Sequence, residues 1–299
     1  MEGPTVEEIR ITVPWGVLAV KCWHSRLLKP VLVAHGLTEN AGSFDRLIPL
    51  LPKEFFYVVV DLPGHGFSTP FPGGLPLDFM HYVHQLQWVV NHFRWQKFVL
   101  MGHSFGGHIS EFYAATFRAE VEKLILLEAW SPTPVAREFY IVAQYNLMCE
   151  ITKARNKPPR YYTYEEALAI MMSERWTKLN SKAAVALLNR ALTRTDNGYV
   201  FNYDTRTRWE IKPALDEYTL LTVYGRIRCP VLVVLGTESE FKIIHGASDF
   251  CKNVLDQLKK SHPRSRIVRV DGNHCLHNNN PEAVAPVITQ FLLDAKSNL

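Results

Sequence analysis

The sequence predicts an α/β protein, a mostly parallel sheet covered by helices on both faces, and three observations predict it. The first is a set of short apolar runs without polar alternation: Val31 to Ala34, Phe56 to Val60, Phe98 to Met101, Leu124 to Leu127 and Val231 to Leu235. Strands buried on both faces of a parallel sheet read this way. The second is helical spacing between runs, over Phe79–Arg94 and Phe105–Arg118, which sets up a βαβ rhythm. The third is an interruption: from Ser131 to about Arg226 the alternation stops, and it resumes at Pro230.

Taken in order, Ile9 to Trp23 holds two β-rich runs around Pro14-Trp15-Gly16 and reads as a hairpin. The interrupted stretch carries helical patterns at Tyr164–Trp176 and Ser181–Leu192, with Pro158-Pro159 and Asn197-Gly198 as breaks. It is rich in Leu, Ala and aromatics, so it reads as a helical insertion and not as a linker. Beyond it come a helix from Ala247 to Lys260, a strand at Ile267–Val270 and a last helix from Pro281 to about Lys296. The expected organisation is one core domain, residues 1–130 and 227–299, with a helical cap at 131–226.

Composition narrows the class. Of 299 residues, 47% are hydrophobic and 21% charged, the range of a globular domain. The net charge of +4 is spread along the chain, with only Arg264, Arg266 and Arg269 close together. A nucleic-acid partner would call for a concentrated basic face, so none is expected. The five cysteines are scattered with no metal-ligand spacing, which suits reduced thiols inside a cell. Neither a secretory leader nor an apolar run long enough for a transmembrane segment is apparent. Ser297-Asn298-Leu299 is a weak form of a peroxisomal address, so a cytoplasmic or peroxisomal location is expected. Nothing in the sequence specifies an oligomeric state.

Chemistry enters at Gly102-His103-Ser104-Phe105-Gly106-Gly107, a Gly-x-Ser-x-Gly pattern between a predicted strand and a predicted helix. In a nucleophile elbow the serine sits on a strained turn, and the flanking glycines allow the close approach that a side chain would block. The pattern alone is common; its strand–turn–helix context is what makes Ser104 the candidate nucleophile. His35-Gly36-Leu37 follows the Val31 strand, where the backbone N–H of Leu37 could join that of Phe105 as an oxyanion hole. His35 itself reads as a structural residue, as does the turn Asp61 to Ser68. The general base is expected late in the chain, at His274 on the turn after Val270, with His277 a lesser candidate.

The acid is less determined. A carboxylate must orient the base and stabilise its charged form. After the seventh strand of the core sheet, Glu238 and Glu240 flank Ser239 where an aspartate is usual. After the sixth, Glu128 ends an apolar strand, and a charge at the end of a buried strand is unfavourable unless paired. Glu128 is therefore preferred, with Glu238 and Glu240 as alternatives.

With these residues placed, the chain resembles the serine hydrolase-like proteins of animals, a branch of the α/β-hydrolase superfamily. The carrying segments are His35 to Leu51, Gly102 to Gly107, Gly198 to Phe201 and Gly272 to Cys275. The resemblance implies an α/β-hydrolase fold and an intracellular hydrolase, with an acidic residue at the position of Glu128. The Leu127-Glu128-Ala129 stretch also resembles haloalkane dehalogenases and coelenterazine luciferases, but those use an aspartate nucleophile where this chain has Ser104. The expected activity is hydrolysis of a small-molecule carboxylic ester through an acyl-enzyme, with neither metal nor cofactor. A catalytically silent ligand-binding protein is the alternative, and a dehalogenase-like enzyme a more distant one. Tyr140, Tyr145, Tyr161, Tyr162, Tyr164 and Trp176 are expected either to shape an apolar acyl or aryl site or to build the cap's own core.

Overall fold

Every apolar run of the sequence becomes a strand of one eight-stranded sheet, ordered β1-β2-β4-β3-β5-β6-β9-β10. The computed structural model describes residues 5–74, 77–129, 137–154, 159–175, 177–208, 215–239, 253, 256–260 and 262–294. The strands are β1 (Val6–Val13), β2 (Gly16–Trp23), β3 (Lys29–Ala34), β4 (Phe55–Val60), β5 (Phe98–His103) and β6 (Val121–Leu127), then β9 (Val231–Gly236) and β10 (Arg266–Val270). Only β1 with β2 and β2 with β4 run antiparallel; the other pairings are parallel. β4, β5 and β9 are buried at every position, which is why their sequences show no alternation.

Helices cover both faces. α1 (Phe79–Phe93), α2 (Phe105–Thr116) and α6 (Glu217–Arg226) pack on one apolar cluster, and the last helix, α8 (Pro281–Leu293), packs on the other. Lys123, buried in β6, ties the two layers. Its ammonium donates to the carbonyls of Phe291 and Leu292 at 2.9 and 2.8 Å, and a cation is favourable at that helix C-terminus.

Between β6 and β9 lie α3 (Arg137–Ala154), α4 (Tyr164–Ser173) and α5 (Ser181–Ala191) ahead of α6. The expectation of a wholly helical insertion needs one correction. Asn197-Gly198 lies at the bend of a two-stranded antiparallel hairpin, β7 (Leu192–Thr195) with β8 (Gly198–Phe201), whose turn is Asp196-Asn197 and whose return strand opens on Gly198 at a φ of 121°. α5 shows why the segment folds: the Asn180 side chain caps its first turn at the Ala183 amide, and Ala183, Ala184, Leu187 and Leu188 form one buried stripe. The segment docks on the core through polar ties. Arg190 of α5 pairs with the buried Asp61 at 2.7 Å and with Glu8, and Asn40 donates to the Leu187 carbonyl at 2.9 Å. Among the described residues, no helix is long and apolar enough to cross a membrane.

Parallel register decides where the site falls. Gly102 and His103 of β5 lie beside Leu126 and Leu127 of β6, and Leu127 lies beside Val234 of β9. The residues that leave these strands, Ser104, Glu128 and Thr237, therefore emerge along one edge. β3 ends there at Ala34, just before His35, and β10 leads from the same edge to α7 (Leu276–Asn279) through the turn bearing His274.

Candidate active site

Ser104 stands between β5 and α2 at φ 49° and ψ −118°, a conformation that L-residues other than at such turns avoid. The glycines make it possible: a Cβ on Gly102 would lie 2.3 Å from the Gly106 carbonyl oxygen, and one on Gly106 would lie 2.3 Å from that of Ala34. Ser104 is half-buried and sits at the N-terminus of α2, where the helix dipole favours negative charge.

The acid candidate leaves the neighbouring strand in the same manner. Glu128 has φ 48° and is completely buried. Its Oε1 accepts from the Gly236 amide at 2.5 Å, and its Oε2 accepts from the Ser239 hydroxyl at 2.7 Å. The same Oε2 lies 3.2 Å from Nδ1 of His274. Facing a carboxylate, that nitrogen carries the proton and donates, which leaves the Nε2 lone pair of a neutral ring available as a base. Burial holds His274 below the usual imidazole range, opposed by its bond to Glu128. Ser239 thus stands where an aspartate is usual and braces the glutamate from the adjacent strand instead.

Glu238 is exposed, its amide bonded to the Gly272 carbonyl at 3.0 Å. Glu240 lies outside the described residues. His277 is completely buried in α7, its ring against those of His103 and Phe44 at 4.0 and 4.8 Å between centroids. Cys275 is also buried, and burial pushes its thiol far up, away from the thiolate form.

The turn after β3 is pinned on both sides of Leu37. The Gly36 amide donates to Glu39 Oε2 at 2.9 Å, and the Thr38 amide donates to Nε2 of His65 at 3.2 Å. His35 bridges two backbones: Nδ1–H donates to the Gly36 carbonyl at 2.8 Å, and Nε2 accepts from the Leu62 amide at 2.9 Å. Both rings are held neutral by burial, His65 pushed down to about 3. The 61–68 turn organises this region, for Asp61 accepts from the amides of Ala41 and Phe67 at 2.7 and 2.9 Å. Phe105, the other amide expected at an oxyanion hole, is the first residue of α2.

Sequence reasoning passed over two residues here, Glu39 and His103. Both are buried, and His103 Nδ1 lies 3.0 Å from Glu39 Oε2. The signal existed in the argument that selected Glu128: an acid just beyond a buried strand needs a partner. Glu39, His103 and His277 place donor atoms within 4.8 Å of one another, a metal-like grouping, but two of the three are engaged in hydrogen bonds.

The aromatics of the inserted segment divide. Tyr162 and Tyr164 pack against the segment's own apolar cluster, which also takes in Cys275. Tyr145 and Tyr161 are exposed, so they line no enclosed acyl site. The Tyr140 side chain and Trp176 lie outside the described residues.

An elbow serine, a carboxylate-bound histidine and a pinned glycine turn on the carboxyl edge of such a sheet define a class, and the comparisons agree with it. The alpha/beta hydrolase fold family matches residues 29–281, and this chain belongs to that family. Within it, a zebrafish (Danio rerio) serine hydrolase-like protein is 34% identical over 95% of this chain and 88% of its own length. A human serine hydrolase-like protein 2 is 31% identical, over 96% of this chain and 94% of its own. The chain is one of the serine hydrolase-like proteins. Among solved structures, a hypothetical protein of Pseudomonas aeruginosa superposes with a TM-score of 0.84 at 26% identity, covering 96% of this chain and 99% of that one.

Proposed function

We propose that this chain is a serine hydrolase that cleaves a carboxylic ester, with Ser104 as nucleophile, His274 as general base and Glu128 as the acid. The observation that carries this reading is the 3.2 Å contact between His274 Nδ1 and a carboxylate braced by two further donors, on the edge where the elbow serine emerges. His274 Nε2 takes the Ser104 hydroxyl proton as Oγ attacks the ester carbonyl. The amides of Leu37 and Phe105 receive the developing oxyanion, and Glu128 stabilises the imidazolium. His274 then protonates the departing alkoxide. Water, deprotonated by the same ring, releases the acid from the acyl-enzyme.

The segment at residues 131–226 acts in this reading as a cap over the core formed by 1–130 and 227–299. Support comes from the ties it makes to the residues flanking the site. The Arg175 guanidinium donates to the Thr38 carbonyl at 2.9 Å, and Asn180 bonds to Asn279 through both its amides. Such an insertion selects the acyl group by shape.

The test is a fluorophosphonate probe followed by peptide mapping. A hydrolase is labelled at Ser104, and a panel of p-nitrophenyl esters of increasing acyl length then finds its substrate class. A chain that takes no label is a ligand-binding member of the fold, and the proposal fails.

A further inference from the structure

The hydrogen bonds of His103 do not match a neutral ring. Its Nδ1 lies 3.0 Å from a carboxylate oxygen of Glu39, and its Nε2 lies 2.8 Å from the backbone carbonyl of His274. Both partners are acceptors only, so both contacts are hydrogen bonds only when the ring carries a proton on each nitrogen. A buried imidazolium persists only beside an anion, and Glu39 supplies one, itself 4% exposed and held by the Gly36 amide. His103 directly precedes Ser104, while its far nitrogen reaches the main chain of the base.

We infer that Glu39 and His103 form a buried charged positioning pair: His103, doubly protonated against Glu39, clamps the loop of His274 and keeps a positive charge beside the base. This rests on the assignment of Ser104 and His274 proposed above. Three segments that are far apart in sequence meet in the pair: the turn after β3, the residue before the nucleophile and the turn carrying the base.

The electrostatics have a sign. The His103 and His274 ring centroids are 5.0 Å apart, and His103 disfavours a second positive charge on His274. Glu39 and Glu128 act in the opposite sense on His274. The other titratable groups facing the pair are His35, His277, Cys275 and Arg175, whose guanidinium lies 3.9 Å from Glu39. His103 influences the base more than Glu39 does, so the intact pair keeps His274 neutral to lower pH than it would be without the pair. His103→Gln removes the cation and leaves the anion. Glu39→Gln removes the anion and lets His103 become neutral. Glu39→Asp keeps both charges.

The experiment follows the rate of fluorophosphonate labelling at Ser104 between about pH 5 and 9 in the full chain, where the midpoint of the acid limb reports the base. The midpoint should move to higher pH in His103→Gln, by at least ~0.5. It should move less in Glu39→Gln and return to the wild-type value in Glu39→Asp. A part that merely supports the fold would lower the rate or the melting temperature without this charge-ordered shift. An unchanged midpoint in both His103→Gln and Glu39→Gln, or a shift to lower pH, overturns the inference and leaves the nucleophile and base standing. Absence of label on the wild-type chain removes the assignment itself, and the inference with it. Should the variants fail to fold, nitrogen NMR of histidine-labelled wild-type protein decides. The ring of His103, assigned through its connection to its own Cα and the Ser104 amide, should carry two protons at about pH 8, where unpaired histidines are neutral; a neutral His103 overturns the pair.

Discussion

At the scale of single residues, two of the strand ends that form the site carry left-handed backbone. Ser104 and Glu128 both adopt positive φ, and each follows directly on a parallel strand. Ser104→Ala should abolish ester hydrolysis, a loss on the order of 10⁴ to 10⁶ in kcat, with the circular dichroism unchanged. Glu128→Gln keeps the volume and removes the charge that stabilises the imidazolium, so kcat should fall by about 10⁴ in steady-state assays. The pH profile adds a second check. Burial favours neutral His274, so kcat/KM should hold to pH values below the ordinary imidazole range before its acid limb falls. In Glu128→Gln the partner that favours the charged ring is gone, and the limb of any residual activity should move lower still.

At the scale of elements, contacts between strand ends and the inserted segment carry the stability of the site. Arg190 reaches from α5 to a completely buried Asp61, whose other bonds hold the amides of Ala41 and Phe67. Arg190→Met should therefore lower the unfolding free energy by about 3–5 kcal/mol, because it strands a buried carboxylate. Pairing it with Asp61→Asn should recover part of the loss, which denaturant melts of the two variants would measure. The elbow is equally intolerant. In Gly106→Ala the new methyl meets the Ala34 carbonyl 2.3 Å away, so β3 and α2 must separate. Loss of fluorophosphonate labelling together with a lowered melting temperature is the expected outcome.

At the scale of the whole molecule, the division into a sheet core and an insertion predicts separable properties. Excising residues 135–222 should change acyl-length preference in the ester panel and raise the binding of an apolar dye, since Cys275 would lose the apolar cluster that covers it. An unchanged ester preference would show that the insertion does not select the substrate.

Much of this was written along the chain. The strands at Val31, Phe56, Phe98, Leu124 and Val231 are unbroken apolar runs because both of their faces are covered, and burial on both faces leaves its mark on every residue. Ser104 was legible because an elbow demands glycine at fixed offsets, a local constraint of backbone sterics. His274 was legible because it follows the last strand on a glycine turn. The meeting of Glu128 with His274 was not local. It depends on the register that sets β6 beside β9, so that Glu128 meets Ser239 and His274 across 111 and 146 residues of chain. The β7–β8 hairpin was missed for a related reason: each strand has only four residues, half-buried or exposed, too short to print a period. Glu39 and His103 looked like ordinary members of two glycine-rich turns. Only the fold brings a carboxylate, an imidazole and the carbonyl of His274 to one buried point, because pairing between charges is a property of neighbours in space, and sequence records neighbours along the chain.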